Sequence, residues 1–453
     1  MLQNKPKNKQ PNPAAVISIS FLAIIIIGTL LLMMPFSSAS HRFTSPLTAL
    51  FTATSATCVT GLVVVDTGSY WSVFGQIIIL LMIQLGGLGL VTFTSFFNFL
   101  IRKKPELHTI QVASESVNTS GFYDVKYMVR HVLAISFICE MIGALMLSVS
   151  YVPKFGAKGI YIAVYLSIAA FCNAGFDIMG MVAEPFSSVT TLSHDPITVI
   201  VIPILIIAGG LGFLVWTNLI EFRKKKKLEF QSKLVLISTA ILIGAGMLAT
   251  LITEWNNPRT LGGESFLYKL GNSFFQSATL RTAGFNSIDI EGMSPMMKVF
   301  SILFMFIGAA SGSTGGGIKL TTMAIIIMTI LSVLSGRTDT IAMGRKIEHE
   351  VVYKALTVAM IFAFLIIVSS LAVYNLNPNV SGLDAAYEVT SAISTTGLSV
   401  GVTAKCNDIS KVILIIIMFI GRVGPVSLAL SISMNTKRGG KNEICPVGKV
   451  MVG

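Results

Sequence analysis

Four short segments of this chain end in a small or polar residue, then glycine, then Leu or Phe. They are Val59-Thr60-Gly61-Leu62, Asn173-Ala174-Gly175-Phe176, Thr282-Ala283-Gly284-Phe285 and Thr395-Thr396-Gly397-Leu398. Their glycines stand 175−61 = 114, 284−175 = 109 and 397−284 = 113 residues apart, so the 453 residues read as one unit written four times. A single turn of this kind is an ordinary helix breaker. Four copies at near-constant spacing point instead to a pore built from equivalent parts.

The surroundings of the motifs suit a bilayer. Hydrophobic residues make up 53% of the chain and charged residues 12%, whereas soluble domains carry roughly a quarter charged residues. The net charge of +12 could suggest nucleic acid. The bases, however, cluster at the ends of apolar runs, at 102–104, 223–227, Arg345 with Lys346, and Lys437 with Arg438. That distribution is the positive-inside pattern of a membrane protein and predicts no nucleic-acid partner. The five cysteines form no CxxC pair and indicate neither a disulfide framework nor a zinc site. The first apolar run, 14–35, follows Lys5, Lys7 and Lys9, but it is long enough to span and lacks a small-residue cleavage site, so it is read as a span and not a secretory signal.

Each unit holds an apolar span, a shorter stretch that ends at the motif, and a second apolar span: 14–35, 46–57 and 72–100; 127–151, 160–171 and 195–222; 232–254, 265–279 and 296–335; 352–375, 383–394 and 409–434. The middle stretches fall short of the roughly 20 helical residues that cross a bilayer, so they dip in and return. Two full crossings per unit bring the chain back to its starting side. The expected fold is therefore all-α and membrane-integral, with four parallel helix, pore-helix, helix repeats in pseudo-fourfold arrangement around one central pore. The boundaries read as a tail at 1–13, repeats at 14–104, 105–228, 229–346 and 347–436, and a tail at 437–453. Bases concentrate between the repeats, which predicts cytoplasmic junctions and termini with the motifs facing outward.

Register extends past the motifs. Asp66 and Asp289 each follow their glycine by five residues, and Phe306-Ile307-Gly308 and Phe419-Ile420-Gly421 lie 419−306 = 113 residues apart. Leu85-Gly86-Gly87-Leu88-Gly89 matches Ala208-Gly209-Gly210-Leu211-Gly212, as close helix packing through small residues would require.

A non-helical turn at membrane depth is tolerated where it is buried in protein or lines a cavity. Four such turns offer rings of carbonyl oxygens that replace the hydration shell of a monovalent cation. The motifs contain no carboxylate, the ligand a divalent cation favours. Candidate ion-binding residues are accordingly Val59, Thr60, Gly61, Asn173, Ala174, Gly175, Thr282, Ala283, Gly284, Thr395, Thr396 and Gly397.

On these residues the chain resembles the superfamily of Trk, Ktr and HKT potassium transport proteins, most closely the membrane subunit of bacterial Ktr systems. The most specific pieces are Thr60-Gly61-Leu62-Val63-Val64-Val65-Asp66-Thr67-Gly68, Arg281-Thr282-Ala283-Gly284-Phe285-Asn286-Ser287 and Gly317-Ile318-Lys319-Leu320-Thr321-Thr322. The resemblance implies a potassium-channel-like filter made by the four motifs, with Gly61 going with potassium. Cys58 and Cys172 stand where relatives more often have a polar residue, and Leu280 where proline is frequent. It further implies a homodimer in the bacterial cell membrane and a separate cytoplasmic ring of RCK subunits. That ring would carry the nucleotide, leaving no cofactor on this chain beyond transported K+.

The stretch 308–319 is too glycine-rich for an uninterrupted helix, at about 1 kcal/mol per Gly relative to Ala. Its match to a phosphate loop fails because Ile318 occupies the lysine position. The resemblance implies an intramembrane gate below the filter, with Gly312, Ser313, Thr314, Gly315, Gly316, Gly317, Lys319 and Arg422 as gate residues. Arg422 at membrane depth is expected to pair or face the cavity, and to limit cation occupancy. An alternative function is a secondary transporter coupling K+ to Na+ or H+, which needs midplane carboxylates; Glu140 is a rare candidate. A membrane-embedded enzyme needs clustered His, Asp or Glu, and the sequence offers no such cluster.

Overall fold

A computed structural model describes residues 13–89 and 122–424. The first twelve residues, the expected repeat boundary at 104/105, the basic run at 102–104 and the tail at 437–453 lie outside the described residues.

Helices dominate. Pro13–Met33 (α1), Pro46–Thr57 (α2), Thr67–Tyr70 (α3) and Val73–Leu88 (α4) come first, then Phe122–Phe155 (α5), Ala157–Phe171 (α6), Pro196–Gly210 (α7) and Phe213–Lys225 (α8). Phe230–Glu254 (α9), Phe266–Thr279 (α10), Pro295–Phe306 (α11) and Leu320–Leu334 (α12) follow. A two-stranded hairpin, Ile341–Ala342 (β1) with Arg345–Lys346 (β2), precedes His349–Leu376 (α13), Gly382–Ile393 (α14), Val402–Lys405 (α15) and Asp408–Val423 (α16).

Among the described residues, four helices are long and apolar enough to cross a membrane: Ala15–Met33, Arg130–Phe155, Phe230–Glu254 and His349–Leu376. Each is the first span of its unit. Their outward faces carry large apolar side chains such as Ile241, Ile252, Met360 and Phe364, suited to lipid. The short helices α2, α6, α10 and α14 match the stretches expected to dip and return. Local chemistry starts three of them: Ser45, Ser265 and Ser381 each accept the N–H three residues on, at Thr48, Tyr268 and Asp384.

The second spans correct the sequence reading. The described parts of the runs expected at 72–100 and 409–434 end as helices at glycine, their remainders at 90–100 and 425–434 lying outside the described residues, and the run expected at 195–222 is broken by glycine. Helix α4 ends at Gly89 (φ 82°) and α16 at Gly424 (φ 89°), and α7 turns by 94° into α8 at Gly212 (φ 88°). A helix of 16 residues, the length of α4 and α16, extends only about 24 Å. The third second span is interrupted by the non-helical segment 307–319 between α11 and α12, as its glycine content predicts.

Among the described residues, two large apolar cores join the units, with smaller ones beside them. One joins α2 and α4 with α6 and α7 through residues such as Ile79, Ile83, Leu166 and Ile202. The other packs α14 and α16 against Phe51, Cys58 and Leu62 of the first unit. The last unit thus closes back onto the first.

Candidate functional site

Three of the four dipping helices stop at the same place relative to their motif glycine. Cys58, Cys172 and Ser394 cap α2, α6 and α14 in right-handed conformation, three residues before their motif glycines. The chain then turns sharply: Val59, Asn173, Thr282 and Thr395 all take left-handed φ, at 58°, 57°, 68° and 51°. Such a conformation costs a non-glycine residue about 1–3 kcal/mol and persists where its surroundings enforce it. The enforcement is visible in hydrogen bonds. The N–H groups of Thr60, Ala174 and Thr396 return to the carbonyls of Ser55, Ala169 and Ser391, each at 2.8 Å. The third unit departs: α10 ends one residue earlier and Ala283 N–H returns to Thr279 at 3.1 Å.

The four glycines meet in a closed ring. A Cβ on Gly61 would lie 2.5 Å from Ala174 O, one on Gly175 2.7 Å from Ala283 O, one on Gly284 2.6 Å from Thr396 O, and one on Gly397 2.1 Å from Thr60 O. All four glycines have positive φ, from 67° to 93°. Glycine is required twice over, by conformation and by the approach of the neighbouring backbone. Because the motif N–H groups point back into the helices, the carbonyls of Thr60, Ala174, Ala283 and Thr396 receive no backbone N–H among the described residues. Every one of the twelve sequence-selected residues is buried.

Beyond the ring opens a cavity of about 710 Å³, lined by all four glycines. Five acids, Asp66, Asp177, Glu184, Asp289 and Glu291, outnumber two bases, Arg259 and Lys405. Asp66 is structural, accepting Ser69 N–H at 2.7 Å and Phe186 N–H at 2.8 Å, and so ties the loop after the first motif to the loop after the second. Burial pushes the Asp177 carboxyl up to about 7 despite a bond from Met179 N–H, and the Asp66 charge adds to the effect. Glu388, a buried acid in α14, accepts Ser399 Oγ at 2.6 Å and Thr403 N–H at 2.9 Å, bracing the chain after the fourth motif. Sequence reasoning missed it, although a lone glutamate inside a short apolar helix was the available signal.

The opposite side of the ring is occupied by the 308–319 segment. Thr314 Oγ1 donates to Phe171 O at 3.1 Å, and Gly316 N–H donates to Thr395 Oγ1 at 3.1 Å. Ser313 Oγ caps Ala310 O at 2.6 Å and Lys319 Nζ donates to Gly315 O at 2.8 Å, folding the loop on itself. Gly312 (φ 70°) offers its carbonyl to Phe213 N–H at 2.8 Å, and Gly317 sits 3.1 Å from Ser394 O through its Cβ position. Arg422 forks between two elements: Nη1 donates to Thr314 O, and Nη2 donates to Gly86 O and, at 3.3 Å, to Gly87 O. All eight sequence-selected gate residues therefore belong to one assembly. Glu140 lies apart from it, between α4 and α5, with Gln84 Nε2 donating at 3.0 Å.

The chain matches the TrkH cation transport protein family over residues 3–441. It is 38% identical to the Ktr system potassium uptake protein B of Bacillus subtilis, covering 97% of each chain. It is 36% identical over the whole of both chains to the potassium/sodium uptake protein NtpJ of Enterococcus hirae. Its fold is similar to the crystal structure of the potassium transporter TrkH from Vibrio parahaemolyticus, with TM-score 0.71 at 16% identity, covering 95% of this chain and 86% of that one. Family match and identity together establish that this chain belongs to the TrkH family of cation transport proteins.

Proposed function

We propose that this chain is the potassium-translocating membrane subunit of a potassium uptake system, selecting K+ at the ring of four motif glycines. The closed ring, with carbonyls that no backbone N–H among the described residues engages, carries the reading. Fixed carbonyl oxygens replace the water shell of a monovalent cation. The dipping helices direct their C-terminal, partly negative ends toward the same point. The acid-rich cavity serves as the outer mouth, where an excess of negative charge raises the local cation concentration. In this reading the termini and the β1–β2 hairpin are cytoplasmic, and the 308–319 loop with Lys319 and Arg422 forms the gate under the filter. The relatives' names supply potassium uptake, and the name Ktr system denotes an assembly of several components. A homodimer with a cytoplasmic nucleotide-binding RCK ring is the assembly proposed here.

Full-length protein in liposomes is expected to pass 86Rb+ and K+ far faster than Na+. Gly61→Ser is expected to reduce that discrimination. Its Cβ would stand 2.5 Å from Ala174 O at a φ of 93°, so the backbone must shift where the ring is tightest. Flux equally fast for Na+ in the parent, or unchanged selectivity in G61S, would sink the carbonyl-filter account.

A further inference from the structure

The 308–319 loop meets the ring through side chains at only part of its circumference. Val59, Asn173, Thr282 and Thr395 form the layer two residues before the motif glycines, all in left-handed conformation. Two of the four face the loop. A Cβ on Gly315 would stand 2.2 Å from Thr282 Oγ1, and one on Gly316 would stand 2.3 Å from Thr395 Oγ1. Their hydroxyls are engaged differently. Thr282 Oγ1 accepts Asn173 Nδ2 at 3.3 Å, a bond within the ring. Thr395 Oγ1 accepts the Gly316 N–H at 3.1 Å, a bond between ring and loop.

Both partners of this second bond are buried, so the Gly316 N–H has no water to fall back on. Thr395 is also the member of its layer that a loop N–H reaches: the Val59 side chain has no acceptor, and Asn173 donates its Nδ2 to Arg281 O and Thr282 Oγ1 while its buried Oδ1 receives no loop N–H among the described residues. Loop glycines make the contact feasible, since any side chain at 315 or 316 would collide with the two hydroxyls. The loop's other anchors lie outside 315–317: Ala310 and Thr314 N–H groups donate to Gly210 O and Gly209 O, Phe213 N–H donates to Gly312 O, Thr314 Oγ1 donates to Phe171 O and Arg422 donates to Thr314 O. The hold of the 315–317 arm on the ring therefore rests on this bond and on packing against Thr282 and Ser394.

We propose that the Thr395 hydroxyl is the latch that holds the 308–319 loop against the inner end of the ring, a positioning residue for closure. The inference rests on the filter and gate reading above. Removing the acceptor strands a buried N–H in the latched state alone, so the loop favours conformations in which that group reaches water.

The test is 86Rb+ flux through full-length protein in liposomes without any cytoplasmic partner, normalised to protein that elutes as one folded species. Thr395→Val keeps shape and loses the acceptor. It should fold, because Val59 already holds the equivalent place at a φ of 58°. Its flux is expected to rise about tenfold, the shift that follows from stranding a buried donor. Thr395→Ser, which restores an acceptor, is expected to give a flux well below that of T395V. A merely structural role would lower flux in T395V. Flux at or below the parent's, with the parent favouring Rb+ over Na+, overturns the latch; a parent that passes Na+ as fast as Rb+ overturns the filter reading and the latch with it.

Discussion

Arg422 shows what one side chain does at membrane depth when no carboxylate among the described residues pairs with it. Burying a guanidinium is costly unless its donors are used, and here both terminal nitrogens are spent on backbone carbonyls from two different elements. The arginine is a fork joining the loop at Thr314 to α4 at Gly86 and Gly87. A fixed positive charge under the proposed filter and a two-element clamp are separable. Arg422→Lys keeps the charge, but an ammonium is a point donor that does not reproduce the planar fork. If the clamp dominates, R422K is expected to shift uptake rate toward Arg422→Ala; rates in R422K that equal the parent's would assign the role to charge alone. The sequence marked Arg422 by its depth but could not reveal its partners, because backbone carbonyls carry no residue identity. Glu388 was overlooked for the same reason: its partners include the N–H groups of Val400 and Thr403, which any sequence supplies.

At the scale of elements, a repeated contact explains why the second spans are rich in glycine. A Cβ on Gly86 would lie 2.0 Å from Thr57 O, one on Gly209 1.8 Å from Phe171 O, and one on Gly421 1.8 Å from Ile393 O. Those carbonyls belong to the last helical residues of α2, α6 and α14, four residues before each motif glycine. Each second span therefore presents a bare glycine on which a dipping helix ends. In the third unit the corresponding Gly308 meets Gly316 O of the loop at 2.3 Å, so the loop has taken the place of the helix end. The dipping helices were legible to within three residues, because short apolar stretches end just before the motif glycines. The breaks at Gly89, Gly212 and Gly424 were hidden, since apolar residues continue through them and the bend follows from docking: Ala310 N–H bonds Gly210 O at 3.0 Å, and Phe213 N–H bonds Gly312 O. Gly421→Ala is expected to lower the thermal stability of purified protein, since overpacking costs about 1–3 kcal/mol. Gly244→Ala, mid-helix in α9 with nothing within 4 Å of its Cβ, is expected to be neutral or stabilising by up to about 1 kcal/mol. Equal melting of the two variants by size-exclusion thermal challenge would refute the seat.

Across the whole molecule, the ring exists only when the ends of the sequence meet. Gly397 presses on Thr60 O and Gly61, residues 397−61 = 336 positions away, and α14 and α16 share a core with α2. Three units would leave the ring open between Gly284 and Gly61 and would uncover the apolar face that the fourth unit shields. The covalent link before the fourth unit is expected to be dispensable by contrast. It passes through the β1–β2 hairpin, whose two-residue turn, Met343-Gly344, has φ of 47° and 77° and is exposed. Both positive values are those of a type I′ turn, a place where chains accept cuts because little packing depends on them. Co-expressed fragments 1–343 and 344–453 are expected to restore potassium uptake to a bacterial strain lacking its own high-affinity uptake, and each fragment alone to give none. Potassium-selective uptake by fragment 1–343 alone would mean that the fourth turn is not part of the filter. Failure of the pair, with both fragments present in the membrane, would place an essential constraint in the hairpin itself.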